Sequence, residues 1–212
     1  MSRPNPTRLY HFTHIDHLAS VAVKGLLSAT HAAESGLITT EIGQPGIKDQ
    51  RRVRIVPCGV GGVVSDYTPF YYAARSPMLY AIRGGRVASY TEGQDPLVYL
   101  VTTVERLVNL DIGPVFTDRN AVLAITRFTA DLADLDDLVD WPLMEAKMWT
   151  NTPEDPDRRE RRMAECLVHR RVPWEAFIEI QTISQDRCQE VETILADLGH
   201  TIPVRSHPQA YF

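Results

Sequence analysis

Three sets of residues in this 212-residue chain have types and spacings that could do chemistry. Glu165 follows Arg161-Arg-Met-Ala and precedes the apolar Cys166-Leu-Val168. If that apolar run is a strand, Glu165 stands at its mouth beside arginines, and nearby positive charge keeps a carboxylate ionised. A fixed carboxylate can stabilise positive charge that develops in a reaction. A plain surface pair with Arg161 or Arg162 explains the same pattern. The second set is His11-x-x-His14-x-x-His17. Its spacing brings at most two imidazoles together on a helix, with no carboxylate or cysteine at a ligand offset, so no metal is expected. His11, between Tyr10 and Phe12, reads as a half-buried core histidine, and Tyr71 and Tyr72 read as core aromatics.

The third set is basic. Arg51, Arg52 and Arg54 form one group, Arg158, Arg159, Arg161 and Arg162 another, with Arg170 and Arg171 beyond. Acids gather instead in the stretch from Asp131 to Asp140. A local positive field can attract a polyanion although the net charge is −5. Ordinary solvated charge accounts for the clusters equally well. Phosphate-loop, dinucleotide-fingerprint, nucleophile-elbow and zinc-protease motifs are all absent.

The elements that must position these side chains alternate irregularly, which predicts an α+β fold. Leu9 to Thr13 reads as a strand, followed by a helix capped at Asp16 and ended by Gly25. Residues 28–50 read as a long loop holding at most one short helix. Tyr67 to Ala73 is an aromatic strand interrupted by Pro69. Ser76-Pro77 starts a helix, and Leu97 to Thr103 is an interior strand. Asp140 opens a helix expected to reach Trp149, and residues 151–157 form an exposed loop. Two strands are expected at 166–169 and 177–184, followed by a helix with Val191, Ile194, Leu195 and Leu198 as its buried stripe.

Composition bounds the rest. With 44% hydrophobic and 23% charged residues, the chain has a globular make-up. No apolar run reaches the roughly 18 residues of a membrane span, and the first residues lack a signal core. Cys58, Cys166 and Cys188 are too few and scattered for a disulfide framework. The expectation is a soluble, cytoplasmic, single-domain protein.

Four segments read together carry a resemblance. They are Tyr10-His-Phe-Thr-His-Ile-Asp-His-Leu18, Asp66-Tyr-Thr-Pro-Phe-Tyr-Tyr-Ala-Ala-Arg-Ser-Pro-Met-Leu-Tyr80, Phe116-Thr-Asp-Arg-Asn120 and Arg162-Met-Ala-Glu-Cys-Leu-Val168. Together they resemble the DarT family, bacterial toxins that ADP-ribosylate single-stranded DNA, and most of all the branch that modifies thymidine. The resemblance runs from about Leu9 to Phe212. It implies one ADP-ribosyltransferase domain over residues 1–212, with two packed β-sheets forming an NAD cleft among surrounding helices. It implies an NAD-binding loop at about 35–54 and a substrate-reading region at about 109–162.

By the same resemblance Glu165 and Arg51 are catalytic. His11, Phe12, Thr13, Gly25, Arg51 and Tyr71 bind NAD. Arg75, Met78, Arg119, Asn120, Arg158 and Arg159 meet the DNA. Some members carry histidine where this chain has Asn120, which bears on sequence preference. A macrodomain antitoxin of the DarG kind is the implied partner, in a bacterial cytoplasm. An RNA or protein acceptor, or a nucleic-acid-binding module without activity, are the competing readings.

Overall fold

The computed structural model describes residues 3–37 and 40–212. Ile38 and Thr39, inside the expected NAD-binding loop, lie outside the described residues. The strands are β1 (Arg8–His14), β2 (Leu26–Leu27), β3 (Tyr67–Tyr71), β4 (Leu97–Thr103), β5 (Val115–Thr117), β6 (Phe128–Thr129), β7 (Glu165–His169), β8 (Arg171–Val172), β9 (Glu179–Thr182) and β10 (Val204–Ser206). Eight of them form one sheet in the order β10-β9-β4-β1-β3-β7-β5-β6, and β2 pairs with β8 in a separate ribbon. Among the described residues only the β9–β10 pair is parallel.

The large sheet is nearly divided. β1 pairs with β4 through seven residues and β3 with β7 through five, yet β1 meets β3 at one pair, Tyr10↔Tyr71. Pro69 explains the parting. It has no amide to give a ladder, and its carbonyl is taken at 2.7 Å by the ring Nδ1 of His11 on β1. The proline does not interrupt β3, as its position first suggests. It sits inside the strand on the edge where no ladder donor is needed. The two four-stranded halves that part here correspond to the two sheets implied by the resemblance, hydrogen-bonded into one at a single seam.

The strand at the centre of one half shows why the interior is apolar on both sides. All seven residues of β4 are buried. Val98 and Leu100 join one core with Leu9, Leu18 and Phe70, while Leu97, Tyr99 and Val101 join another with Phe12, Leu79 and Tyr211. Alternation along the strand sends successive side chains to opposite faces.

The helices are α1 (Leu18–Lys24), α2 (Ala29–Glu34), α3 (Pro45–Val53), α4 (Pro77–Arg83), α5 (Val104–Asn109), α6 (Leu135–Leu138), α7 (Trp141–Glu145), α8 (Arg158–Arg161) and α9 (Gln185–Asp197). Caps start α4 and α9 as read from sequence: Ser76 accepts from the Leu79 amide and Ser184 from the Arg187 amide. Other expectations need correction. Asp16 does not cap α1; it lies in a 3-10 turn, Ile15–His17, capped by His14. The stretch 28–50 holds α2 and most of α3, the first capped by Ser28 and the second opened by Pro45. The helix from Trp141 stops at Glu145 and does not reach Trp149. Its last carbonyls turn to a buried cation instead, as Arg162 Nη1 donates to the carbonyls of Leu143 and Met144, each at 2.6 Å. In α9, Val191 and Leu195 are buried, whereas Leu198, at the cap just past its end, is exposed.

Candidate active site

Glu165 begins β7 and is 1% exposed. Both carboxylate oxygens are held. Oε1 accepts from Arg51 Nη1 at 2.8 Å and Oε2 from the Ala121 amide at 3.0 Å. The residue's own amide donates to Thr117 Oγ1 at 2.9 Å, and that hydroxyl donates to the Arg119 carbonyl at 2.7 Å. The partner of Glu165 is therefore Arg51, brought from 114 residues away by α3, and not Arg161 or Arg162. Each carboxylate oxygen keeps a further lone pair for a ligand hydroxyl. Arg51 Nη2 is buried without a hydrogen-bond partner among the described residues. A buried guanidinium N–H left open is costly, so this atom fits an acceptor on a ligand.

Beside this pair lies a cavity of about 390 Å³, whose lining includes His11, Thr13, Gly25, Arg51, Tyr71 and Glu165. It opens where the sheet parts. His11 Nδ1 must carry the proton it gives to the Pro69 carbonyl, which leaves Nε2 an acceptor. Burial pulls the ring down to about 4, and His17 and Arg51 push the same way, so it stays neutral at physiological pH. Tyr71 pairs across the ladder with Glu165, and burial raises its phenol far above the ordinary range. Its hydroxyl points to Met78 Sδ at 4.0 Å. Gly25 ends α1 at φ +81°, and a Cβ there would lie 2.6 Å from the Val172 carbonyl. Only glycine fits. Phe12 borders the cavity too, but its ring packs edge-on against Tyr99, at 5.8 Å between centroids.

The residues expected at the DNA separate into two groups. Met78, Asn120 and Arg159 line the cavity. Arg75 does not; its guanidinium stacks 4.3 Å from the centroid of Phe212. Arg119 bridges Asp118 and Asp157, and Arg158 bonds Asp155 and the Met148 carbonyl. Arg161 engages Asp140, Asp155 and Asp157, and Arg162 is buried. The second arginine cluster is thus mostly engaged within the fold, Arg158 and Arg161 by acids and Arg162 by main-chain carbonyls, with Arg159 at the cavity as its exception.

A family model described as "ssDNA thymidine ADP-ribosyltransferase, DarT" matches residues 10–212. The chain belongs to the DarT family. A DNA ADP-ribosyl transferase of Thermus sp. (strain 2.9) is 40% identical over 192 residues, 91% of this chain and 88% of the relative. The structure of Thermus sp. 2.9 DarT in complex with ADP-ribosylated ssDNA matches with a TM-score of 0.92 at 35% identity, covering 100% of this chain and 99% of that one. Its complex with NAD+ matches with a TM-score of 0.85 at 35% identity over 100% of both chains. A more distant relative from Thermosipho africanus, 23% identical over 78% of this chain and 39% of its own length, is a DNA ADP-ribosyl transferase-DNA ADP-ribosyl glycohydrolase fusion protein.

Some groups at this DarT-family site escaped sequence reasoning. The Ala121 amide and the Pro69 carbonyl are main-chain groups, and nothing in a side-chain pattern marks them. Thr117 carried a faint signal as a polar residue in an apolar strand, and it is fully buried. His17 was visible only as the last member of the histidine series, yet it borders the cavity.

Proposed function

We propose that this chain transfers ADP-ribose from NAD to a thymidine base of single-stranded DNA, releasing nicotinamide. The observation that carries the reading is the Glu165 carboxylate held from two sides at the rim of the seam cavity, inside a fold of the DarT family. Breaking the nicotinamide–ribose bond builds positive charge on the ribose, as in glycoside hydrolysis. A carboxylate fixed beforehand stabilises that charge without reorganising during the reaction. Glu165 fills this role through ribose hydroxyls. Arg51 keeps the carboxylate in place through Nη1, and its open Nη2 meets a phosphate or the deprotonated thymine. Neutral His11 offers Nε2 as an acceptor to the nicotinamide side, with Thr13 beside it and Tyr71 as an aromatic wall.

The acceptor nitrogen of thymine loses a proton as it attacks, so a base must stand within hydrogen-bond reach. Glu165 or a water takes it; a guanidinium with a pKa above about 12 does not. A single strand presents the base already unstacked, which removes a cost of a few kcal/mol that a duplex would impose. Met78, Asn120 and Arg159 form the DNA side of the cavity. We assign the protein to the bacterial cytoplasm, paired with a macrodomain antitoxin that removes the modification; the Thermosipho relative joins two such activities in one chain. No described helix is long and apolar enough to cross a membrane.

The test is incubation with labelled NAD and separate pools of single-stranded DNA, RNA and protein. Label is expected on the DNA alone. Label on protein or RNA alone would overturn the acceptor, and release of nicotinamide with no labelled polymer would overturn transfer altogether.

A further inference from the structure

His17 ends the 3-10 turn that follows β1 and turns its ring to the cavity. The Thr40 amide donates to its Nε2 at 3.2 Å. An amide can only donate, so Nε2 carries the lone pair and the neutral ring's proton is on Nδ1. Nδ1 in turn lies 2.9 Å from Thr13 Oγ1, which must accept. The Thr13 hydroxyl hydrogen is therefore directed elsewhere, and Thr13 faces the cavity. The next bond reinforces the first: Thr40 Oγ1 donates to Asp16 Oδ2 at 3.1 Å. Two consecutive residues of the turn thus hold the segment 40–44, all five residues of which border the cavity.

We propose that His17 is a positioning residue for the NAD co-substrate, holding the 40–44 segment against the cavity and orienting the Thr13 hydroxyl as a donor. This rests on the reading that NAD is the ligand. The arrangement works only with a neutral ring. Protonation would set an Nε2–H against the Thr40 N–H and break that bond. The titratable groups around the ring include His11 and His14 from β1, Asp16 from its own turn, Glu41 from the held segment and Lys48 from α3. Burial first, then the charges of His14 and Lys48, lower its basicity, while Asp16 and Glu41 oppose them. A held ring that resists protonation favours the held state above the ordinary value of 6.5. NAD affinity should accordingly be complete above that value and fall as pH drops through and below it.

The test measures NAD binding by calorimetry between about pH 5.5 and 8, the range in which an ordinary imidazole titrates. Wild type should lose affinity toward the acid end, by less than the roughly tenfold that an unshifted imidazole would give one pH unit below its pKa. His17→Ala should bind about tenfold more weakly at pH 8 and show no pH dependence, with KM for NAD rising more than kcat falls. His17→Gln keeps an acceptor for the Thr40 amide and does not titrate, so it should bind nearly as wild type at pH 8 and stay flat. Thermal unfolding of each variant separates a folding defect from a binding one, and the glutamine variant decides if the alanine variant unfolds. Equal affinity of wild type and His17→Ala, or a flat wild-type profile, would overturn the inference while leaving the function intact. Failure of wild type to bind NAD at any pH would instead overturn the function and this inference with it.

Discussion

At the scale of single residues the site depends on preorganisation. Glu165 has both oxygens engaged before any ligand arrives, so its carboxylate does not search for its geometry during the reaction. Glu165→Gln keeps the shape and removes the charge. It should still bind NAD but lose transfer by about 10²–10³-fold or more, as for loss of one fixed electrostatic stabiliser. Single-turnover measurement beside NAD calorimetry checks this, and near-normal turnover would remove Glu165 from the chemistry. His11 gives a pH signature. Unfolded, its ring takes a proton near 6.5; folded, it resists until about 4. Between those values the unfolded state binds more protons, so stability falls as pH falls, by up to about 3 kcal/mol for a shift of this size. Denaturation midpoints across that window should fall less steeply in His11→Gln than in wild type. Equal slopes would show that His11 is not the titrating group.

At the scale of elements the deciding feature is the seam between β1 and β3. Pro69 was legible as a disruption of a strand, but its use was not. Sequence shows that the amide is missing; only the fold shows which neighbour does without it. The same limit applies to the helices. α4 and α9 were readable because serine caps act locally. The early stop of α7 was not, because the group that receives its carbonyls, Arg162, comes from 16 or more residues further along the chain. Pro69→Val would return a ladder amide on the side facing β1. We expect β1 and β3 to approach, NAD affinity to fall by about tenfold, or 1.4 kcal/mol, and thermal stability to hold or rise. Amide exchange would show the new protected hydrogen bond. Unchanged NAD affinity with that bond formed would separate the seam from the ligand site.

At the scale of the whole molecule, charge is organised differently from what the arginine runs suggest. Their positions in sequence were plain, but their partners combine nearby acids, Asp155 and Asp157, with a distant one, Asp140, that only the fold brings in. Glu165 and Arg51 were named from the sequence and the fold brings them together at 2.8 Å, whereas the pair of Arg119 with Asp157, 38 residues on, could not be read without the fold. With Arg159 at the cavity and Arg75 stacked on Phe212 as cations without an acidic partner among the described residues, about two phosphate contacts are expected and not a larger number. The log–log salt slope for single-stranded DNA should then be about −1.4, at roughly −0.7 per phosphate. Arg159→Glu should flatten it and Arg158→Ala should leave it nearly unchanged. A slope steeper than about −4 would mean that the internal ion pairs open on binding.

The central claim is that the seam cavity joins NAD to a thymine base. Mass spectrometry of a thymidine-containing single strand after exposure to the protein and NAD tests it most directly, with fragmentation to locate the added group. One ADP-ribose on a thymine base of the single strand is expected, with little on the matched duplex and none from Glu165→Gln. An unmodified strand after NAD has been consumed, an ADP-ribose on another base, or equal modification by the glutamine variant would contradict it.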